Sequence, residues 1–328
     1  MGNRTVIINA SAPLYNLACE KIKRWQENIG NNAVILRTDN IGTAPIECLV
    51  ADSLYISVIR SYDTPKAISL LNWARDHNIY SEVGGPGTVF LAEHIENETG
   101  VVPVTSVDPR FERVLDGEET RYTFTTRGCI WGCPFCVVKE LEGRDIHVYN
   151  TFPFSPMVGD NNLLLSPDWH INRVIRRLTN RYKSIDLNSG IDCRIFATDP
   201  EKYYSMLKKG NLKRWYFAWD SENQTKPIQE TLAFMSKHYK KAGTFRSKVF
   251  VYILCNHPSC SPDEIEAKAR KIISIGAAPY LMEYLPLDSL RRHYVAPNWV
   301  GVDINSLKAY YNTPSRWSQG DMDLIERE

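Results

Sequence analysis

Cys129, Cys133 and Cys136 fall within eight residues, in the stretch Arg127-Gly128-Cys129-Ile130-Trp131-Gly132-Cys133-Pro134-Phe135-Cys136. This C-x3-C-x2-C spacing comes directly after a predicted strand and constrains the chain more than any other feature. The other five cysteines, Cys19, Cys48, Cys193, Cys255 and Cys260, are scattered. Eight cysteines in 328 residues lie far below the density of a disulfide scaffold, about 8–10%. In a chain that opens with no secretion signal, a tight triplet reads as metal-binding or catalytic before it reads as disulfide. Three thiolates on one short loop can wrap one face of a cube-shaped iron–sulfur cluster, each on a different iron. The fourth iron is then open to a substrate or cofactor. Gly128 and Gly132 relieve crowding where such a loop folds tightly. A zinc site with His147 as a remote fourth ligand is a second reading. Structural zinc usually takes paired ligands across a long spacer, however, and no second Cys pair follows. Three unrelated buried cysteines are a third.

Composition bounds the partners. With 39 Lys and Arg against 38 Asp and Glu, the net charge is +1, which argues against a protein held to nucleic acid or membrane by bulk charge. A nucleoside or local tRNA contact stays open, but nucleic acid is not the expected partner. No apolar run reaches the roughly 18 residues of a membrane span, and no signal peptide is visible. Val6 stands where a myristoylation signal needs Ser or Thr. The expectation is a cytoplasmic protein with no membrane partner and, at about 150 residues per domain, two domains.

Apolar runs at 5–10, 33–36, 53–59 and 80–83 predict strands. A helix-spaced stretch at 14–30 ends on Gly30, and a second helix starts at Asp63-Thr64-Pro65, with Asp63 or Thr64 as cap. This alternation predicts an open parallel sheet over residues 1–110. Gly84-Gly85-Pro86-Gly87 lacks phosphate-loop spacing and reads as a tight turn at a strand end. Residues 103–120 are Pro- and acid-rich and mark the expected boundary. Beyond it, strands are predicted at 122–126, 156–158, 184–187, 215–219, 249–254 and 279–284. Helices are predicted at 169–182, 200–208, 227–241 and 263–275. The stretch 136–155 is too polar and broken for a helix. Six strands with intervening helices predict a partial (β/α)6 barrel over 121–290, followed by a C-terminal extension, 291–328, packing on the core.

The cysteine loop after the first strand of such an array resembles the radical S-adenosylmethionine superfamily. That resemblance implies a [4Fe-4S] cluster on Cys129, Cys133 and Cys136, whose open iron binds the methionine part of S-adenosylmethionine. Electron transfer then yields a 5′-deoxyadenosyl radical that abstracts hydrogen from substrate. It also implies an electron donor such as flavodoxin or ferredoxin. Phe135 is placed near the adenine. Where the superfamily often has Gly-Gly-Glu, this chain has Gly159-Asp160-Asn161-Asn162, which keeps a small residue and polar oxygens. Active sites of (β/α) barrels gather at the carboxyl ends of strands. This adds Asn188, Asp192 and Arg194 after strand three, Asp220 and Glu222 after strand four, Asn256 after strand five and Glu283 near the end of strand six. Arg194 is assigned to the methionine carboxylate by its planar fork, and Asp192 or Asp220 to ribose hydroxyls or a substrate amine. A salt bridge or helix cap is the alternative role for each.

The first domain resembles the cobalamin-binding-like, Rossmann-type domain found ahead of many such cores. The cobalt-ligating Asp-x-His-x-x-Gly signature is missing: residues 9–16 read Asn-Ala-Ser-Ala-Pro-Leu-Tyr-Asn. A degenerate domain without cobalamin is expected. No second cysteine cluster is present, unlike in members that carry auxiliary clusters. In layout the chain resembles the queuine lyase family of deazaguanine salvage. That implies carbon–nitrogen cleavage releasing an aminomethyl-deazaguanine from a small-molecule substrate, with Asp192, Asp220 or Glu283 facing its N–H edge. Alternatives are a cobalamin-dependent methylase, another tRNA- or nucleoside-modifying member, and a zinc or redox binding module. In the tail, Trp299, Tyr310, Tyr311 and Trp317 stand among Arg291, Arg292 and Arg316, as packing aromatics or as a base-stacking surface.

Overall fold

Strands buried on both faces read as unbroken apolar runs, and the first such runs build a parallel sheet. In the computed structural model, which describes residues 2–37, 46–239 and 241–318, the first four strands are β1 (Arg4–Asn9), β2 (Asn32–Arg37), β3 (Ser53–Ser57) and β4 (Tyr80–Gly84). They pair in the order β2-β1-β3-β4, all parallel. The helices between and after them are α1 (Leu17–Asn28), α2 (Thr64–Asp76) and α3 (Ala92–Thr99). Alternation along β1 sends Val6 and Ile8 into one core with Leu54, Ile56, Ala67 and Leu71. It sends Ile7 into another with Cys19, Ile22 and Tyr55. Pro65 enters the first turn of α2, but Asp63 does not cap it; the carboxylate takes Arg60 and Lys66 instead. The Gly84–Gly87 segment is the turn that its composition predicts. Gly85 has φ 111°, and a side chain there would strike the Val58 carbonyl.

The strand order puts a switch point between β1 and β3, where open α/β sheets leave a ligand crevice. Here the polar groups at that point bond one another. Asn16 Nδ2 donates to Ser57 Oγ at 3.0 Å, the Ser11 amide to Asn9 Oδ1 at 3.2 Å, and the Ile59 amide to Ser11 Oγ at 2.9 Å.

Contacts divide the chain into two compact units, residues 1–155 with 286–293, and 156–285 with 294 onward. The boundary expected at 103–120 lies inside the first. The strand expected at 122–126 is cut down to β5 (Thr126–Arg127), which pairs antiparallel with β6 (His147–Val148). Before it, threonine hydroxyls take carbonyls: Thr120 Oγ1 donates to the nearby Tyr122 O at 2.8 Å, and Thr123 Oγ1 to Pro153 O, distant in sequence, at 2.7 Å. Such bonds offer the backbone an alternative to a ladder. The polar stretch after the cysteines forms one short helix, α4 (Val138–Leu141).

The second unit alternates strands and helices. Its strands are β7 (Met157–Val158), β8 (Asp186–Leu187), β9 (Trp215–Ala218), β10 (Val249–Cys255) and β11 (Ala278–Glu283). β7 and β8 pair parallel, as do β9, β10 and β11 in the order β11-β10-β9. A parallel bridge, Ile191 to Phe217, links the two sets. Five of the six strands predicted beyond residue 120 therefore lie parallel in chain order. The intervening helices are α5 (Asp168–Thr179), α6 (Cys193–Phe196), α7 (Pro200–Leu207), α8 (Thr225–Lys237), α9 (Ala242–Lys248) and α10 (Pro262–Ile275). The chain continues through α11 (Ile304–Tyr311) and α12 (Pro314–Ser318). The tail aromatics Trp299, Tyr311 and Trp317 are buried, and Trp317 packs with Tyr216, Phe250 and Ala278. The last ten residues of the expected extension lie outside the described residues. No helix among the described residues is long and apolar enough to cross a membrane.

Asn256 locks the segment after β11 to the end of β10. It is fully buried and adopts φ 59°, a left-handed conformation that Asn tolerates better than most residues. Its Nδ2 donates to Tyr294 O at 2.7 Å, and its Oδ1 accepts from the Ala296 amide at 2.9 Å. Asn256→Ala strands both partners in the interior, so urea unfolding should show a loss of about 2–4 kcal/mol. A change below about 0.5 kcal/mol would contradict this role.

Candidate functional site

The cysteine loop joins β5 to β6 in the first unit. Gly128, at φ 88°, passes so close to the Asp145 carbonyl that any side chain would collide with it. The Cys129 amide donates to Gly143 O at 3.3 Å, and the Cys136 amide to Cys133 O at 3.1 Å, closing a turn at the second and third cysteines. All three cysteines are half-buried and take part in no disulfide among the described residues. Burial raises the Cys136 thiol above its usual range. The remaining cysteines sit elsewhere in the fold. Burial pushes Cys19, Cys193 and Cys255 up to about 12 and Cys48 to about 11, while Cys260 gives its thiol to the carbonyls of His257 and Leu254. Phe135 is half-buried beside Cys136. Among the described residues, no three His, Cys, Asp or Glu gather as ligands of a single ion.

A buried ionic chain holds the root of this loop. Glu142 accepts from the Gly128 amide at 2.9 Å through one oxygen, and from Arg127 Nη1 at 2.9 Å through the other. Arg127 reaches Glu112 at 3.1 Å, and Glu112 accepts from Lys21 Nζ at 2.6 Å. The Glu142 side chain is 4% exposed. Burial lowers the Lys21 ammonium, and Glu112 opposes that shift. The Arg127 guanidinium also lies 3.7 Å from the centre of the Phe124 ring. Removing one member of such a chain leaves buried charge without its partner. Glu142→Ala should therefore cost about 3–5 kcal/mol, and Cys129 should react faster with a thiol reagent in the folded state. Unchanged thiol kinetics would contradict the anchoring role.

In the second unit, the residues predicted at strand ends divide into committed and available groups. Asp192 caps α6 and binds Arg194 through both oxygens, at 2.9 and 3.1 Å. The two residues assigned separate ligands by resemblance thus pair with each other. Asn256 holds backbone, as described, and Glu283 bridges to Lys308 at 2.8 Å. Asn188 is exposed, and its carbonyl accepts from Tyr252 Oη at 3.3 Å. Glu222 opens a short turn capped by Ser221 and Gln224.

Gly159 and Asp160 are buried after β7, and Asn161 is half-buried. Beside them, Asn162 is the residue that the superfamily pattern passes over. Its Nδ2 donates to Asp192 Oδ2 at 2.7 Å, which fixes the orientation of the amide. Its buried Oδ1 then has no hydrogen-bond partner among the described residues. A buried acceptor left in this state suits a donor from a ligand.

Alternation along the strands supplies a second element that spacing did not reveal. Phe217, Val251, Ile253 and Leu281 are buried on one face. The other face presents Tyr216, Tyr252 and Tyr280. Tyr216 and Tyr252 stack at 5.2 Å, with their planes 8° apart, and Tyr252 meets Tyr280 edge-on at 5.7 Å. Tyr280 is 40% exposed. Asp186 on β8 has a buried Oδ1 without a hydrogen-bond partner among the described residues. Burial raises its carboxyl pKa, against the pull of Lys213 and Arg214.

Asp220 follows β9 and accepts from the Leu254 amide at 2.9 Å. Burial pushes its pKa up to about 6, opposed by the Leu254 N–H and by Lys268 and Arg194. The folded state therefore binds this proton more tightly than the unfolded chain does. Its contribution to stability is lost as pH rises from about 4 to the folded value. Asp220→Asn removes that loss. Urea unfolding at pH 4.5 and pH 7.5 should show the variant gaining on the parent at the higher pH, and an equal difference at both would contradict the assignment.

No family model matches the chain, and no curated protein matches it.

Proposed function

We propose that this chain is a radical S-adenosylmethionine enzyme, built as a partial (β/α)6 barrel behind a Rossmann-like domain, that acts on a small planar nitrogenous substrate. The observation that carries the reading is the C-x3-C-x2-C loop, in which three half-buried cysteines outside any disulfide sit on a backbone anchored at its root. This donor set fits a [4Fe-4S] cluster, which Cys129, Cys133 and Cys136 would hold. When bound, the cluster supplies the electron that cleaves S-adenosylmethionine and so initiates hydrogen abstraction.

The chain's own residues bind, orient and move protons. Glu142 and Arg127 fix the start of the cysteine loop. Asn162 Oδ1, beside the Asp192 carboxylate, offers an acceptor suited to an amine. Asp220, half-protonated near pH 6, can give or take a proton at a basic nitrogen close to neutral pH. On the tyrosine face the half-buried Tyr252 and the exposed Tyr280 offer stacking area for a fused ring, with ring pairs of this kind contributing about 0.5–1.5 kcal/mol beyond burial. Asp186 adds an acceptor for a ring N–H.

These last two features favour the narrower reading, a queuine lyase that breaks a carbon–nitrogen bond and releases an aminomethyl-deazaguanine. A flavodoxin or ferredoxin is the proposed electron donor. Cobalamin has no part in this reading, which follows the lack of an Asp-x-His-x-x-Gly signature after the first strand.

Anaerobic reconstitution with iron and sulfide, followed by dithionite and S-adenosylmethionine, tests the proposal. Wild type should form 5′-deoxyadenosine and Cys133→Ala none. Queuine, added as substrate, should yield the deazaguanine. A protein that holds zinc and forms no 5′-deoxyadenosine would favour the binding-module reading, whereas 5′-deoxyadenosine without deazaguanine would remove only the queuine assignment.

A further inference from the structure

Charge is segregated within the second unit. Residues 168–214 hold eleven Lys and Arg against five Asp and Glu, in a chain whose net charge is +1. Among them Arg194 pairs with Asp192 and Lys202 with Asp168. The rest lie at Arg173, Arg176, Arg177 and Arg181 on or just past α5, at Lys183, and at Lys208, Lys209, Lys213 and Arg214. Backbone pairing draws these stretches together. The Ile185 amide donates to Gly210 O at 3.1 Å, the Lys213 amide to Ile185 O at 3.0 Å, and Asn211 Nδ2 to Lys183 O at 2.8 Å.

This places the cations at the amino ends of β8 and β9, whereas Asp192 and Asp220 follow the carboxyl ends of the same strands. The basic face is therefore separate from Asp192 and Asp220, while Lys213 and Arg214 also act on Asp186. It contains a groove lined by Trp169, Asn172, Arg173, Arg176, Thr179 and Lys209. Trp169 is 52% exposed, so its indole adds little to the core. Arg176, Lys208, Lys209, Lys213 and Arg214 are all exposed. At about 1.5 Å per residue, the arginines from 173 to 181 extend along the helix axis for about 12 Å.

We propose that this groove binds the backbone of a single-stranded nucleic acid, with phosphates on Arg176 and Lys209 and a base stacked on Trp169. Guanidinium groups match phosphate geometry, and an aromatic platform beside a cationic track is how strands are held without sequence preference. The net charge conceals this surface, because acidic residues elsewhere in the chain balance it. An acidic protein partner would use the cations but would gain little from the indole.

The test is fluorescence anisotropy of an end-labelled oligouridylate 12-mer with the full chain, titrated at 50 and 200 mM salt, with polyglutamate as competitor. Wild type should bind, and binding should weaken with salt. Combining Arg176→Glu with Lys209→Glu should weaken binding by more than tenfold and reduce the log–log salt slope by about 1.4, two phosphate contacts at about 0.7 each. Trp169→Ala should weaken it about five- to 100-fold. Both changes are at exposed positions, and circular dichroism confirms folding. The proposal is overturned by no binding at 50 mM salt, or by binding that all these variants leave intact. It is equally overturned if polyglutamate binds as well as the oligonucleotide and Trp169→Ala has no effect, which would mark an acidic protein as the partner.

Discussion

The buried chain Lys21–Glu112–Arg127–Glu142 is the interaction on which the proposed chemistry depends. Three cysteines on a short loop lose much of their use as ligands if the loop must be ordered on binding, since fixing one residue's backbone costs about 1–2 kcal/mol. Glu142 removes part of that cost in advance by holding the Gly128 amide directly before Cys129. The same carboxylate neutralises Arg127, whose second partner, Glu112, is tied to Lys21 on α1. Two anions and two cations in alternation leave no net charge to bury. This arrangement makes a buried network tolerable, and it links the loop to the helix that covers the first sheet.

The second unit follows from a different constraint. A parallel sheet needs a helical crossover between strands, so every carboxyl end is followed by a loop. That architecture collects Asp160, Asn162, Asp192 and Asp220 after β7, β8 and β9, however far apart they lie in sequence. Not all of these groups are available. Asp192 and Arg194 satisfy each other, and Asn256 spends its amide on backbone. What remains is a small set: Asn162 Oδ1, the Asp220 carboxyl, and the tyrosine face with Asp186. Of the tyrosines, Tyr216 and Tyr252 pack with Trp317 and Phe250, whereas Tyr280 is 40% exposed.

Apolar alternation and helix spacing report burial directly, and from them sequence alone placed the strands of the parallel sheets and the helices α1, α2, α5, α7, α8 and α10, but not the helices α3, α4, α6, α9, α11 and α12. The starts of α7 and α10 are marked by Asp199-Pro200 and Ser261-Pro262, which do cap them. The strand expected at 122–126 is reduced to Thr126–Arg127, and the Thr123 hydroxyl bonds the Pro153 carbonyl, an outcome that β-propensity does not distinguish from a ladder. Of the candidate site, the cysteines were legible from spacing. Asn162 was legible only as part of the stretch 159–162; that its Oδ1 is left without a partner among the described residues could not be read from sequence. The tyrosine face could have been found from the period of two in Tyr216, Tyr252 and Tyr280, each flanked by fully buried neighbours. Pairing across strands was needed to bring the three together. The Glu142 anchor had no local signal at all, since Lys21 and Glu112 lie far from it in sequence.

The central claim is that the three-cysteine loop holds a cluster with one open iron. Electron paramagnetic resonance of the reconstituted, dithionite-reduced protein, recorded with and without S-adenosylmethionine, tests it most directly. The account predicts a [4Fe-4S] signal in wild type that changes on adding S-adenosylmethionine and is lost in Cys133→Ala. A silent protein that retains zinc, or a signal that S-adenosylmethionine leaves unchanged, would contradict it.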